Sequence, residues 1–316
     1  MKKQGMIIHP AELTDRMIDL LKHSHINVLG IHPVGGGNAA NTLEELLTLS
    51  ESLEFQNKLA QVRELGIAIE YELHALAWLL PRSMYEIHPE WFRMDKTGHR
   101  VNDFNLCVSN SDALEYLSSR AQELAGKLRS DTGYYYFWSD DKKDVFCHCE
   151  KCRKMSHSDQ ALIIYNTILT GIRRVDPNAK QCYLAYCDTL SVPEKAKPLD
   201  GIFLEYAPID RDTKIPLEDK TCEINQRCLK EIKALIDFFG TKDAQALEYW
   251  LDNSLFSGWK KPPKPLTICT DTIQQDIAFY RKTGFEGITT FGCYLSDDYI
   301  ELYGTPPIAD YGKCFS

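Results

Sequence analysis

Short apolar, β-branched or aromatic runs alternate along this chain with longer segments whose apolar residues recur at helical spacing. That rhythm predicts parallel strands joined by helical crossovers. Eight runs read as strands: INVLGIH from Ile26, IAIEYELH from Ile67, YYYFWSDD from Tyr134, QCYLAYCD from Gln181, GIFLEYAPI from Gly201, AQALEYWLD from Ala244, LTICTD from Leu266 and GITTFGCYL from Gly287. The segments between them carry helix punctuation. Ser111 opens SDALEYLSSRAQELAGKL as a candidate N-cap, and Gly66, Gly240 and Gly284 each close a helical run. The fourth crossover, TLSVPEKAKPL, is short and broken by proline, so no full helix is expected there.

Eight strands with helical crossovers predict one (β/α)8 TIM barrel over residues 1–316, with a long loop at 75–110 and a cysteine-bearing loop at 142–157. Little chain follows the last strand, so PAELTDRMIDLLKH, ahead of the first, is expected to cover the eighth helix position. A doubly wound sheet is the competitor. The HPVGGGN segment lacks the G-x-G-x-x-G phosphate fingerprint and reads as a flexible linker instead.

Ligands of such barrels bind at the C-terminal strand ends, and side-chain alternation selects which residues point there. In IAIEYELH the apolar set faces the helices, which turns Glu70, Glu72 and His74 inward. The same logic turns Trp138 and Asp140 inward, and in ALEYWLD it selects Glu248, Trp250 and Asp252. His32, Tyr186, Asp188, Glu205, Tyr206, Asp210 and Tyr294 fall at or beyond other strand ends, and Asp141 follows Asp140 directly. Trp78 and Trp91 add aromatic faces in the long loop. Any one carboxylate at a strand end also suits a helix cap. As a group with aromatic rings they suit a sugar: rings stack on pyranose C–H faces, and paired carboxylates cleave glycosidic bonds.

Composition narrows the partners. A net charge of −9 disfavours a nucleic-acid backbone, and no apolar run approaches the ~18 residues of a membrane span. The first residues, MKKQGMIIHPAELTDR, lack an apolar signal core, which makes the cytoplasm the expected compartment. Most of the 11 cysteines then read as small buried residues. The exception is C-x-C-x-x-C: Cys147, Cys149 and Cys152 offer three soft ligands. Cys107, His148 or His157 could complete a tetrahedral set for structural zinc, with reduced thiols as the plain alternative.

HPEWF from His88, then GHR and NLCVSN, the strand ending SDD with C-x-C-x-x-C behind it, and LAY, APIDR and EYW resemble, in that order, an uncharacterised bacterial domain family. That family stands near the α-glucuronidases among the (β/α)8 glycoside hydrolases. The resemblance implies Asp140 or Asp141 in place of the glucuronidase general acid, a glutamate. It implies Asp210, in APID, as one base. Asp252 is the nearest carboxylate to the second base, where the glucuronidases have glutamate. No cofactor is implied for catalysis.

The expected function is therefore a glycosidase: Asp140 or Asp141 as acid, Asp210 or Asp252 as base or nucleophile. Substrate contacts would come from His32, Glu72, His74, Trp138, Tyr186, Asp188, Glu205, Tyr206, Glu248, Trp250 and Tyr294. Two other readings stand beside it. One is a metal-dependent barrel hydrolase or isomerase with His32, Glu72, His74 and Asp188 as ligands. The other is a carbohydrate-binding barrel without catalysis.

Overall fold

Residues Lys3–Ile8, KQGMII, form the first strand (β1) although half of them are polar or glycine. The computed structural model describes all 316 residues. After β1 come α1 (Asp15–Leu21), β2 (Val28–Ile31), α2 (Ala39–Ser50), α3 (Leu53–Glu64), β3 (Ala68–His74), α4 (Leu76–Leu79) and α5 (Ser111–Lys127). The middle of the chain supplies β4 (Tyr134–Trp138), α6 (His157–Ile172), β5 (Lys180–Ala185) and β6 (Ile202–Tyr206). It ends with α7 (Glu223–Leu229), α8 (Ile232–Phe239), β7 (Gln245–Glu248), α9 (Asn253–Phe256), α10 (Thr270–Thr283), β8 (Gly287–Phe291), α11 (Asp297–Tyr303) and α12 (Ile308–Lys313). The strands close in chain order into an eight-stranded parallel barrel, β1 pairing with both β2 and β8.

The expected barrel is therefore present, with two corrections to its inventory. LTICTD is not a strand: Leu266–Cys269 is irregular, and Thr270 already opens α10. β1 takes the vacated place. Consequently PAELTDRMIDLLKH supplies the first crossover helix, and α11 and α12 follow β8. The error has a physical source. Five β-branched or apolar residues in six outweigh the helix start, whereas KQGMII shows only Met6, Ile7 and Ile8 as an apolar run. The GGG segment is a 3-10 turn, Gly36–Asn38, leading into α2. The Pro-broken crossover between β5 and β6 contains no α-helix, as expected. Asp159 and Asn166 of α6 hold it by accepting from the Lys195, Ala196 and Leu199 amides.

Packing divides the chain into two compact halves. The first comprises Met1–His32, Glu51–Glu70 and Leu204–Ser316. Its barrel interior is polar at the lower level: Lys3 Nζ pairs with Glu70 Oε2 at 2.5 Å, and Gln245 Nε2 donates to Glu205 Oε1 and Thr289 Oγ1, both at 3.0 Å. Such groups are tolerated inside because each meets a partner. The second half comprises Pro33–Ser50 and Tyr71–Phe203. Its core is aromatic, with Tyr134 and Tyr136 edge-on to Phe203 and Tyr165 edge-on to Tyr183. α5 and α6 pack closely here because Gly171 has no side chain; a Cβ would stand 2.0 Å from Ser118 O.

Candidate functional site

In the second half, β3, β4 and β5 end on His74, Trp138 and Ala185, and the residues just beyond line a small cleft. His74, Ser139, Asp140, Tyr186 and Asp188 all contribute to its wall. His74 stays half-buried, its Nδ1 2.8 Å from Ser139 O and its ring 5.1 Å from that of Trp138. Asp140 is buried, and Arg82 Nη2 donates to its Oδ2 at 2.7 Å while the Asn105 amide donates to the same oxygen at 2.6 Å. It is an anchor for the long loop as well as a cleft residue. Asp141 is half-buried and hydrogen-bonds with Tyr186, whose phenol is pushed well up, first by burial and next by that carboxylate. Asp188 Oδ2 accepts from the Asp144 amide and stands 3.8 Å from His157 Nδ1.

In the first half, β1 and β2 are each followed directly by a histidine, His9 and His32. His9 Nδ1 lies 2.8 Å from His32 O, and burial lowers the pKa of the His9 ring. Glu12, buried three residues on, accepts from the backbone amides of His9 and Tyr294. Burial pushes its carboxyl up to about 7. Asp252 caps α9, accepting from Ser254 Oγ and, at 3.1 Å, from the Leu255 amide; burial raises its pKa, and His9 is among the groups that oppose the rise. Tyr294 is half-buried, 6.0 Å from the His9 ring, with Lys261 5.0 Å over its own ring. Asp210 is exposed in the turn after β6.

Several expected contacts lie elsewhere. Glu248 and Trp250 do not face the barrel interior. Gln245 does, so alternation along β7 sends Glu248 outward, where Arg211 Nη1 donates to it at 2.7 Å and Tyr280 of α10 at 2.6 Å. Trp250 Nε1 donates to Asp276 of the same helix at 3.3 Å, and Arg211 Nη2 bonds that carboxylate at 2.6 Å. Tyr206 also points to the helices, its hydroxyl donating to Cys228 O of α7. Glu72 and Glu205 are fully buried in the barrel wall, with no surface for a ligand. Trp78 is clasped between Glu44 of α2 and the Arg120 guanidinium, 3.8 Å above its ring, in the helix layer. Trp91 stacks on His88 at 4.0 Å.

Side chains that sequence reasoning passed over do much of the positioning. His9 and Glu12 follow the strand that the hydrophobic pattern missed; the GMII run before His-Pro was the available signal. Arg82, Asn105, Arg211 and Asp276 carry none, since each acts on a partner far along the chain.

The cysteine hook closes on a fourth thiol. Cys107, Cys147, Cys149 and Cys152 are all buried, with their sulfurs within 4.8 Å of one another. Cys107 Sγ lies 3.7 Å from Cys149 Sγ and 3.9 Å from Cys152 Sγ. A tetrahedron with Zn–S bonds of ~2.3 Å separates its sulfurs by ~3.8 Å. Hydrogen bonds from Cys147 and Cys152 hold the Cys107 thiol far below its ordinary range. Around the set, the Met94 amide donates to Cys147 Sγ at 3.3 Å, and Ser109 Oγ lies 3.4 Å from Cys149 Sγ. Gln160 of α6 fixes the backbone, accepting from Cys147 N and donating to Cys147 O and Cys152 O. His148 and His157 stand outside the thiol set. The four ligands of a metal-dependent barrel, His32, Glu72, His74 and Asp188, do not gather in this way.

Residues 52–298 match the family model described as "Domain of unknown function (DUF4838)". No curated protein sequence matches the chain. Among solved structures, a cold-adapted β-galactosidase from Rahnella sp. R3 superposes with a TM-score of 0.55 at 12% identity, over 99% of this chain and 56% of that one. The chain thus spans little more than half of that relative. A glycoside hydrolase family 5 enzyme from Prevotella bryantii B14, in complex with a xyloglucan tetradecasaccharide, gives 0.52 at 9% identity, over 96% of this chain and 87% of that one. A broad-specificity endoglucanase from an uncultured bacterium gives 0.50 at 11%, over 96% and 84%. At such identities the likeness is one of fold. The chain belongs to the DUF4838 domain family, and its closed barrel has the fold of the glycoside hydrolases.

Proposed function

We propose that the chain is a glycoside hydrolase working through carboxylates at the C-terminal strand ends. The observation that carries this reading is the cleft beyond β3, β4 and β5, where His74, Asp140, Tyr186 and Asp188 share one wall. To Asp141, half-buried against Tyr186, we assign the proton exchange, while Asp140 holds the loop through Arg82. Asp210, which is exposed, and Asp252, the carboxylates expected from the sequence to act as base or nucleophile, belong to the other half. The half-buried imidazole of His74 offers a flat face to a pyranose in that cleft, whereas Trp138, packed against it, is buried. Glycosidic cleavage by such carboxylates uses no cofactor.

The test is hydrolysis of a panel of α- and β-aryl glycosides and glycuronides by wild type and by Asp141→Asn, Asp252→Asn and Asp210→Asn. The expected result is turnover of at least one substrate, with a loss of ~10²-fold or more in a folded Asp141 variant. No turnover, with sugar binding by calorimetry unchanged in the variants, would favour a carbohydrate-binding barrel.

The four thiols are assigned to one structural zinc ion. A closed set of four sulfurs leaves no position for water, so the ion's part is to join NLCVSN to the hook behind β4. Thiolate ligation also favours a reducing compartment, consistent with the cytoplasm. Elemental analysis of dialysed protein is expected to show one equivalent of zinc fewer in Cys107→Ser than in wild type.

A further inference from the structure

Beside the thiol set lies a second group of metal-ligand atoms that the sugar chemistry does not use. Asp144, His148 and His157 each offer one ligand atom, and the three lie within 4.8 Å of one another. His148 is anchored from below, since its amide donates to Met94 O at 2.8 Å and both neighbours are cysteines of the hook. His157 opens α6 and stacks on Phe146 with ring centroids 4.9 Å apart. The rings of His148 and His157 stand nearly perpendicular, 6.2 Å apart.

An independent observation points to a ligand. His148 Nε2 is buried and has no hydrogen-bond partner, and a buried polar nitrogen left unpaired is destabilising. Asp188 supplies the outer support such a site needs: its Oδ2 takes the Asp144 amide and stands 3.8 Å from His157 Nδ1. The one competitor is Lys96, which pairs with Asp144 at the surface, both side chains more than half exposed. An ion pair that open is weak and yields readily.

We propose that Asp144, His148 and His157 form a second metal site, open to solvent, for a late first-row divalent cation. Two imidazoles and a carboxylate suit Zn²⁺, Co²⁺ or Ni²⁺ better than Mg²⁺ or Ca²⁺, which prefer all-oxygen sets. Unlike the thiol site, it keeps coordination positions for water. The assignment is independent of any glycosidase activity.

The experiment is Co²⁺ titration of metal-stripped, reduced full-length protein, followed by absorption and by equilibrium dialysis. Thiolate-bound cobalt gives intense charge-transfer bands; imidazole and carboxylate ligation gives only weak visible bands, so the two sites are read separately. Wild type is expected to take two equivalents. His148→Ala with His157→Ala is expected to take one, with the thiolate bands intact as proof of folding. Asp144→Asn, at an exposed position, should weaken the second equivalent at least tenfold. Uptake of one equivalent by wild type, or retention of the second by the double variant, would overturn the proposal.

Discussion

Asp140 illustrates how much and how little one residue reveals. Its place at the end of an aromatic strand is legible, because strand period and terminal acid are local properties. Its partners are not: Arg82 lies 58 residues away and Asn105 lies 35 away. The Asp140 side chain is only 3% exposed and that of Arg82 22%, so the pair is screened little on one side and more on the other. Asp140→Asn keeps an acceptor for the Asn105 amide but removes the charge facing Arg82. Urea denaturation is expected to show a loss of about 1–3 kcal/mol. A change under 0.5 kcal/mol would mean that the long loop is held by other contacts. Asp252 repeats the lesson. Its carboxylate is at the strand end as expected, and it also caps α9, so the chemical and the plain expectation describe the same side chain.

At the scale of elements, alternation worked for β4 and failed for β7. In YYYFW the aromatic side chains fit both faces, and Trp138 does meet His74. In QALE the rule that apolar residues face the helices gave the wrong face, because the layer beneath α10 contains a buried cation. Arg211, unexposed, serves both Glu248 and Asp276, and charge balance there outranks hydrophobicity. Arg211→Met should cost about 3–5 kcal/mol, since it strands two buried carboxylates. Glu248→Gln should cost distinctly less; equal losses in chemical denaturation would contradict the charge-balance account. A second packing prediction concerns α5 and α6. Gly171→Ala forces the helices apart at Ser118 O and is expected to cost about 1–3 kcal/mol or more, seen as a lower Tm.

For the whole molecule, eight strands and a barrel were legible because crossover rhythm is a repeated signal, robust to one misplaced run. Which run was misplaced could not be seen: β1 earns its place through pairing with β2 and β8, distant partners that no local window contains. The consequence reaches global stability through Glu12, at the end of that strand. Burial pushes its carboxyl from 4.5 up to about 7, so between those values the folded chain binds more protons than the unfolded one. The stabilisation linked to the protonated form is complete below pH 4.5 and is lost as pH rises through about 7, amounting to roughly 3 kcal/mol. Glu12→Gln should flatten the urea midpoint between pH 4.5 and 8, and an unchanged slope would place the pH dependence elsewhere.

The pairing of β1 with β8 also sets a timetable for synthesis. Lys3 finds Gly287 only after about 280 residues have been made, which at ~5–20 residues per second takes on the order of 15–60 s. Through that interval the nascent chain carries an unclosed sheet, its first strand waiting for its last. The last of the four thiols, Cys152, by contrast, is made 135 residues before Gly287, so the thiol set is complete about 7–27 s before the barrel can close. A ribosome stalled near residue 200 would therefore display a chain with all four thiols of the hook and without the strands that close its barrel.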